Sequence, residues 1–143
     1  MDNKIIVKYH AKKAKPIAQA HPGEWIDLRA AEDVFMEEGT STIIPLGVSI
    51  KVPTGYEAIL APRSSTFRKF GIIQTNGVGV IDETYCGEED IWGMPVYATR
   101  YTEIPAGERI AQFRIQPIQG SIIIEEVERI SDKSRGGFGS TDI

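Results

Sequence analysis

The sequence of 143 residues has little cysteine: Cys86 stands alone, so no intrachain disulfide can form. A chain without disulfides is typical of a reducing compartment, and we expect it in the cytoplasm. Long apolar runs are also lacking. The run at residues 5–7 is too short for a signal peptide, and no stretch approaches the roughly 18 apolar residues of a membrane helix. The sequence therefore predicts no membrane partner.

Positive charge is scarce as well, with 16 Lys and Arg against 20 Asp and Glu and a net charge of -4. Direct nucleic-acid binding is therefore not expected, because phosphate backbones require clustered Lys and Arg. A small anionic ligand is still compatible with this charge, since a local arginine cluster can bind phosphate. The two histidines, His10 and His21, have no further Cys or His at metal-ligand spacing, so a structural zinc site is not expected.

What the sequence does contain is a series of short runs rich in β-branched residues, separated by Gly and Pro. Several alternate between polar and apolar residues, which predicts an all-β sandwich or barrel. Residues 29–38 include helix formers, yet the order of residues favours a strand at 34–36. A short helix is predicted over residues 64–70, ending at Gly71. The main predicted strands are at 5–9, 25–30, 42–46, 48–52, 56–61, 72–74, 78–81, 95–99, 110–115 and 122–127.

The C-terminal residues 131–143 differ from the rest in being polar and glycine-rich, which predicts a domain at 1–130 followed by a flexible arm. A frayed terminus explains this composition equally well. A lid over a phosphorylated ligand would use Phe138 to stack on a planar ring. It would use Arg135, Ser140 and Thr141 as phosphate donors.

Residues 76–85 combine a bare Gly/Val strand with an acid and an aromatic ring, Asp82 and Tyr85. An ionised Asp82 could accept a proton from water, and Tyr85 could pack against a sugar. The alternatives are a turn residue for Asp82 and a core residue for Tyr85. A water nucleophile is favoured because no serine–histidine or cysteine–histidine set is evident.

Three further stretches contain candidate anion-binding residues. Residues 62–66 are either an anion-binding turn or a capped helix start. Arg109 and Gln112 are three positions apart, so both reach one site only if the strand ends, contains a bulge or contributes backbone groups. Taken alone, this stretch fits an edge strand with solvated polar residues better. Asp27 alternates with apolar neighbours, and if it is buried it requires a cation, for which Arg63 is a candidate.

Together these stretches resemble five motifs of the trimeric dUTP pyrophosphatase (dUTPase) family, in the family's order. The combination also resembles phage-borne and Bacillus-type members. The resemblance implies a jelly-roll-like β fold and a homotrimer with shared active sites. It also implies Mg²⁺-dependent hydrolysis of dUTP to dUMP and pyrophosphate, with the C-terminal arm closing over the site. That reaction keeps uracil out of DNA and supplies dUMP for thymidylate synthesis. The motifs are residues 23–30, 62–65, 76–88, 107–112 and 135–141.

The resemblance assigns a role to each matching residue. Asp82 activates the water, Tyr85 lies under the deoxyribose, and Asn76 with the backbone at Gly79 recognises uracil. Asp27 contacts Mg²⁺ through water or pairs with Arg63, and no protein atom binds the metal directly. Phe138 covers the uracil. The phosphate-binding residues are Arg63, Ser64, Ser65, Arg109, Gln112, Arg135, Gly139, Ser140 and Thr141.

Two alternatives compete with this interpretation. A dCTP deaminase on the same fold would need a second carboxylate in the strand after the hairpin, and residues 94–98 contain none. A non-catalytic interaction or regulatory module is the other. Departures from the family pattern are residues 24–26 before Asp27, the thiol of Cys86, and a longer acidic loop at 88–94 with no contact assigned to it.

Overall fold

A computed structural model describes residues 3–131 and 135–136 of the chain. The described residues form eleven β-strands, one α-helix and one 3₁₀ turn. The helix is α1 (Thr66–Phe70) and the 3₁₀ turn is Lys12–Ala14. The strands are β1 (Ile6–Tyr9), β2 (Ile26–Arg29), β3 (Val34–Met36), β4 (Ser41–Pro45), β5 (Val48–Lys51), β6 (Tyr56–Pro62), β7 (Ile72–Gln74), β8 (Gly79–Ile81), β9 (Gly93–Ala98), β10 (Thr102–Ile104) and β11 (Arg109–Pro117).

The strands pair in four antiparallel groups. The largest sheet has the order β2-β11-β6-β8, and a second has the order β4-β9-β7. Two smaller pairs, β1 with β5 and β3 with β10, complete the set. The predicted all-β, jelly-roll-like fold with one short helix is therefore confirmed. Within residues 3–131 and 135–136, no helix has the length and apolar character needed to cross a membrane.

A single hydrophobic core takes side chains from every sheet. Strand β9 shows how alternation builds it: Met94, Val96 and Ala98 are fully buried, while the residues between them are more exposed. Trp92 packs edge-on against Phe113 of β11, with ring centroids 5.1 Å apart and planes at 79°. This aromatic pair connects the loop before β9 to the four-stranded sheet.

Helix α1 ends as predicted but begins differently. Gly71 adopts a left-handed conformation with φ of 66°, and its N–H donates to the Phe67 carbonyl at 2.7 Å. Ser65 occupies the N-cap position, yet its side chain makes no capping hydrogen bond. The hydroxyl of Thr66 contacts the neighbouring backbone instead.

The predicted strand at residues 122–127 is wrong, because these residues lie outside every strand of the described chain. Their side chains are strongly exposed: Ile123 is 94% and Ile124 is 81% exposed. Three consecutive isoleucines have a high strand propensity, but a strand also requires a neighbour to pair with. Strand β10, by contrast, was missed by the pattern of the sequence and pairs with β3.

Candidate active site

Asp27 of β2 lies at the centre of an ion-pair cluster. Its Oδ1 accepts a hydrogen bond from Arg63 Nε at 3.1 Å, and its Oδ2 lies 3.7 Å from Arg109 Nη1. The side chain of Asp27 is 32% exposed, so the pair is only partly screened by water. The predicted pairing of Asp27 with Arg63 is confirmed. Residues 27, 63 and 109 come from separate parts of the chain, so the sheet itself assembles the cluster.

A β-bulge in β11 places Arg109 and Gln112 on the same rim. The register between β11 and β2 shifts between Arg109 and Ala111. Ile110 and Ala111 are therefore both fully buried, whereas Arg109 is exposed and Gln112 is half-buried. Gln112 lies opposite Asp27 and donates from Nε2 to the Pro62 carbonyl at 3.1 Å. The spacing of Arg109 and Gln112 left a strand end, a bulge or backbone groups as ways to reach one site, and the structure contains a bulge.

Thr66 links the bulge to the residue that pairs with Asp27. Its hydroxyl donates to the Ile110 carbonyl at 2.8 Å and accepts from the Arg63 backbone N–H at 3.0 Å. The side chain is almost fully buried. One hydroxyl group thus satisfies a backbone carbonyl at the bulge and a backbone N–H just before α1. Sequence reasoning placed this residue in the right stretch but gave it no role.

A basic cavity of about 540 Å³ lies next to the ion-pair cluster. Its one lining carboxylate, Glu108, pairs with Lys69 at 3.0 Å. Within a chain of net charge -4, this is a marked local concentration of positive charge. The sequence pattern did not identify residues 12–15 as part of a site. The cationic lining residues are Lys12, Lys13, Lys15, Arg29, Arg63, Lys69 and Arg109.

The hairpin between β7 and β8 has a bare backbone beside Asn76. Gly79 begins β8 and lies opposite Leu60 of β6. A Cβ atom at Gly79 would come within 3.3 Å of Leu60 Cβ and 3.5 Å of Asn76 Nδ2. Gln74, at the end of β7, is buried and donates from Nε2 to Asn76 Oδ1 at 2.9 Å. Gln74 was not singled out from the sequence.

Asp82 lies in an exposed turn directly after β8. Its Oδ1 accepts from the Thr84 backbone N–H at 2.8 Å, and its carbonyl accepts from the Tyr85 N–H at 3.0 Å. The hydrogen bond from the Thr84 N–H holds the pKa of the Asp82 carboxyl below its usual range, because it stabilises the ionised form. Asp82 is thus a turn residue and an ionised carboxylate at neutral pH.

Tyr85 is 43% exposed, so it is not a core residue. Its hydroxyl donates to the Ile91 carbonyl at 3.3 Å, and the ring lies at the surface beside the Asp82 turn. A half-exposed aromatic ring held through its hydroxyl offers a flat surface for a ligand to pack against.

The acidic loop after Tyr85 is anchored on β1 and β5. Glu88 accepts from Lys8 Nζ at 2.6 Å; this bond lowers the pKa of Glu88 and raises that of Lys8. The Asp90 carbonyl accepts from Ser49 Oγ at 2.9 Å, and His10 Nε2 lies 2.8 Å from Ser49 Oγ. Because the Ser49 hydroxyl hydrogen goes to Asp90, His10 is the donor to Ser49. The sequence assigned no contact to this loop, and the structure places it against Lys8 and Ser49.

Asp82 and Arg63 lie towards opposite ends of the sheet. Ile81, just before Asp82, is opposite Ala58 of β6, whereas Arg63 directly follows the far end of that strand. The five residue-to-residue steps from Ala58 to Arg63 span roughly 15–17 Å at the usual rise of a strand. Within one chain, the predicted phosphate residues Arg63, Arg109 and Gln112 are therefore together, and the predicted water-activating Asp82 is apart from them.

Only some of the remaining predicted site residues lie within the described part of the chain. Ser64 is exposed and Ser65 is half-buried at the start of α1. Arg135 is exposed. Phe138, Gly139, Ser140 and Thr141 lie outside the described residues.

The carboxylates of the described chain do not assemble a metal cage. Residues 3–131 and 135–136 contain no cluster of three or more Asp, Glu, His or Cys side chains suited to a metal ion. Mg²⁺, however, usually keeps several waters and binds through one or two carboxylates together with substrate phosphates. A single, partly exposed carboxylate beside cationic side chains, as at Asp27, fits that mode of binding.

Comparison with known proteins gives a consistent result. The dUTPase family model matches residues 17–142. The SPbeta prophage-derived deoxyuridine 5'-triphosphate nucleotidohydrolase of Bacillus subtilis (strain 168) is 48% identical over 137 residues, 96% of each chain. The deoxyuridine 5'-triphosphate nucleotidohydrolase of Leifsonia xyli subsp. xyli (strain CTCB07) is 38% identical over 125 residues, 85% of this chain and 82% of the relative. The solved structure of Staphylococcus bacteriophage 80alpha dUTPase with dUPNHPP has a TM-score of 0.78 at 26% identity, covering 99% of this chain and all of that one.

Proposed function

Since the chain belongs to the dUTPase family, we propose that it hydrolyses dUTP to dUMP and pyrophosphate. The observation that supports this best is the ionised, exposed carboxylate of Asp82, which follows a bare hairpin and stands beside the ring of Tyr85. A base, a flat surface for a sugar and a backbone open to a nucleobase are thereby found in ten consecutive residues. The 80alpha dUTPase, a structural neighbour, was solved with the nucleotide dUPNHPP.

In the proposed reaction, Asp82 accepts a proton from a water molecule as that water attacks a phosphorus atom of the triphosphate. The new O–P bond forms on dUMP, the bond to the bridging oxygen breaks, and pyrophosphate leaves. A carboxylate whose pKa lies below its usual range is ionised at neutral pH and is therefore ready to act.

The hairpin is proposed to recognise the nucleoside. Asn76 and the backbone at Gly79 would hydrogen-bond to uracil, as a strand pairs with a sheet edge. Cytosine would leave such groups unpaired, at a penalty of roughly 1–3 kcal/mol for each. The ring of Tyr85 would pack under the deoxyribose and leave no space for a 2′-hydroxyl.

The Asp27 cluster is proposed to lie on the phosphate side of the site. Arg63, Arg109 and Gln112 share one rim there, with Ser64 and Ser65 beside them, and the basic cavity adds further positive charge. Arginine and amide groups are strong donors to phosphate oxygens. Asp27 would hold Mg²⁺ through water, and the bound ion would neutralise charge on the phosphates.

The C-terminal residues 131–143 are proposed to form an arm that closes over the site of the domain at 1–130. Arg135, Gly139, Ser140 and Thr141 would bind phosphate, and Phe138 would cover the uracil. Closure of such an arm excludes bulk water and completes the site.

We further propose that the protein is a homotrimer with shared active sites. Two structural features support this: the distance between Asp82 and Arg63 within one chain, and the exposed isoleucines 122–124 without a pairing strand. A second chain could supply both the missing half of the site and the missing strand partner. An exposed apolar segment of this kind is typical of a surface that another chain covers.

In the cell, this activity would keep uracil out of DNA and supply dUMP for thymidylate synthesis. The exposed free thiol of Cys86 supports the cytoplasm as its compartment.

A nucleotide panel tests the proposed reaction. With Mg²⁺, dUTP should give dUMP and pyrophosphate, while dCTP, dTTP and UTP should be poor substrates. Pyrophosphate release and ammonia release are measured side by side. Ammonia from dCTP would instead identify a deaminase, although β9 offers no acid for that chemistry. The absence of any reaction with all four nucleotides would favour a non-catalytic interaction or regulatory module.

A further inference from the structure

Gln74 is a buried glutamine two residues before Asn76, with an exposed fraction of only 4%. Its Nε2 donates to the Leu60 carbonyl at 3.2 Å and to Asn76 Oδ1 at 2.9 Å. Both amide hydrogens of Gln74 are therefore in use. Its Oε1 has no hydrogen-bond partner within residues 3–131 and 135–136. A buried amide of this kind is costly in an apolar core, which indicates that it does more than fill space.

The orientation of both side-chain amides follows from one backbone carbonyl. Leu60 O can only accept, so the nitrogen of Gln74 must face it and not the oxygen. The second hydrogen of that nitrogen is directed at Asn76, where only the oxygen can accept it. The carbonyl of Leu60 in β6 thus determines which way the Asn76 amide is turned.

The amino group of Asn76 is consequently left as a free donor. Asn76 is exposed, and its Nδ2 has no hydrogen-bond partner in the described part of the chain. Gly79 keeps this nitrogen accessible, since a Cβ atom there would lie 3.5 Å from it. Uracil has a carbonyl oxygen at the ring position where cytosine has an amino group. A fixed N–H donor pairs with the oxygen and is mismatched with the amino group.

We propose that Gln74 is a positioning residue that fixes the Asn76 amide with its donor outward and thereby determines the preference for uracil over cytosine. The inference rests on the proposed function, in which Asn76 contacts the base. Gln74 does not touch the nucleotide; it acts through Asn76. Without the bond from Gln74, the Asn76 amide can rotate and present either its oxygen or its nitrogen, and the oxygen suits cytosine.

The first test measures binding of dUMP and dCMP by calorimetry, so it does not depend on turnover. Gln74→Leu introduces an apolar side chain of similar size and removes both donor hydrogens. The ratio of dUMP to dCMP affinity should fall about tenfold, the effect of one buried polar mismatch. The matched control is Gln116→Leu, since Gln116 is an exposed glutamine of β11 bonded to Glu57 at 2.8 Å. That variant should keep the ratio of the unmodified protein.

Gln74 could also be only a packing residue, because Ile72 and Gln74 both face the core from β7. In that case Gln74→Leu would preserve the affinity ratio, and the inference would be wrong. Thermal unfolding of each variant separates a loss of folding from a loss of selectivity. If Gln74→Leu does not fold, Gln74→Met, which is unbranched like glutamine, is measured in the same way.

A second variant tests the link to Asn76. Asn76→Asp keeps an oxygen for Gln74 to donate to but removes the outward donor, and the exposed position should tolerate it. Its affinity ratio should fall at least tenfold, and adding Gln74→Leu should lower it no further. Independent, additive losses would show that Gln74 does not act through Asn76. Equal affinity of the unmodified protein for dUMP and dCMP would also overturn the inference, whereas absence of dUTP hydrolysis alone would refute only the proposed reaction.

Discussion

Asp27 and Asp82 are both carboxylates of the candidate site, but their surroundings differ in kind. Asp27 lies between two guanidinium groups that come from distant parts of the sequence and is only 32% exposed. Asp82 is exposed and is bonded to Thr84 in its own turn. No cationic side chain of the described chain forms an ion pair with Asp82. The first carboxylate is thus held by the tertiary fold, and the second by three consecutive residues.

This difference indicates which carboxylate can do chemistry. Both oxygens of Asp27 face arginine side chains, so this carboxylate is committed to ion pairs. Asp82 forms no ion pair with a cationic side chain of the described residues, and its bond to the Thr84 N–H lies within its own turn. We infer that Asp27 organises the phosphate side, whereas Asp82 acts on water.

The largest expected effect is that of Asp82→Asn on turnover. Removing a general base should lower kcat by about 10²–10⁴-fold, because the water is no longer deprotonated during the attack. Binding of a non-hydrolysable dUTP analogue, measured by calorimetry, should change little. Asp90→Asn is the matched control, since Asp90 also accepts an N–H within its own turn, from Gly87 at 2.8 Å. Equal turnover of the two variants would remove Asp82 from its role.

Mixing two inactive variants tests whether the two halves of the site come from different chains. Asp82→Asn and Arg63→Gln are co-expressed, and mixed assemblies are purified with two affinity tags. In each mixed trimer, one of the three sites should combine an intact Asp82 with an intact Arg63, so about a third of the turnover should return. If each site lies within one chain, the mixture stays as inactive as its components.

Thermal stability should show the opposite ranking to turnover, with the larger loss for the Asp27 variant. Asp27→Asn leaves Arg63 and Arg109 without their shared counter-charge and should cost about 1 kcal/mol, given the partial exposure of the pair. For a chain of this size, that corresponds to a Tm lower by about 3–5 °C in calorimetry. Asp82→Asn should leave Tm nearly unchanged. A larger fall in Tm for Asp82→Asn than for Asp27→Asn would contradict the view that the tertiary fold holds Asp27 and not Asp82.

The smallest expected effect is on the acid side of the pH profile. Because the pKa of Asp82 lies below its usual range, the carboxylate stays ionised as the pH falls towards about 4. Turnover should therefore be retained above that pH and lost as the pH falls through the pKa. The small stabilisation from the Thr84 bond follows the same sign, present at higher pH and lost on acidification. A midpoint well above 5 in the profile of kcat/KM would point to another group.

Much of the site followed from residue types and spacing. The three-residue interval between Arg109 and Gln112 allowed joint action only through a strand end, a bulge or backbone groups, and β11 contains a bulge. An acid between apolar residues either faces away from the core or pairs with a cation, and Asp27, only 32% exposed, pairs with Arg63. Such inferences succeed where steric or electrostatic rules leave few solutions within a short stretch.

Other features depend on contacts between distant residues and had no local signal. The bonds of Thr66 and Gln74 arise only when β6, β7 and β11 are assembled. The basic cavity includes Lys12, Lys13 and Lys15 because the 3₁₀ turn lies beside Gly107, a proximity that the linear order does not reveal. The strand predicted at 122–127 was wrong for the related reason that propensity alone does not supply a partner.

The bulge in β11 also determines how the protein responds to a deletion, as opposed to a substitution, at Ile110. Losing the codon for residue 110 would leave the pairing of residues 111–117 with β6 intact. It would, however, remove the bulge, the fully buried side chain of Ile110 and the carbonyl that accepts a hydrogen bond from the Thr66 hydroxyl. An in-frame deletion of one codon should thus be far more damaging here than the substitution of Ile110 by valine, even though both alter a single residue.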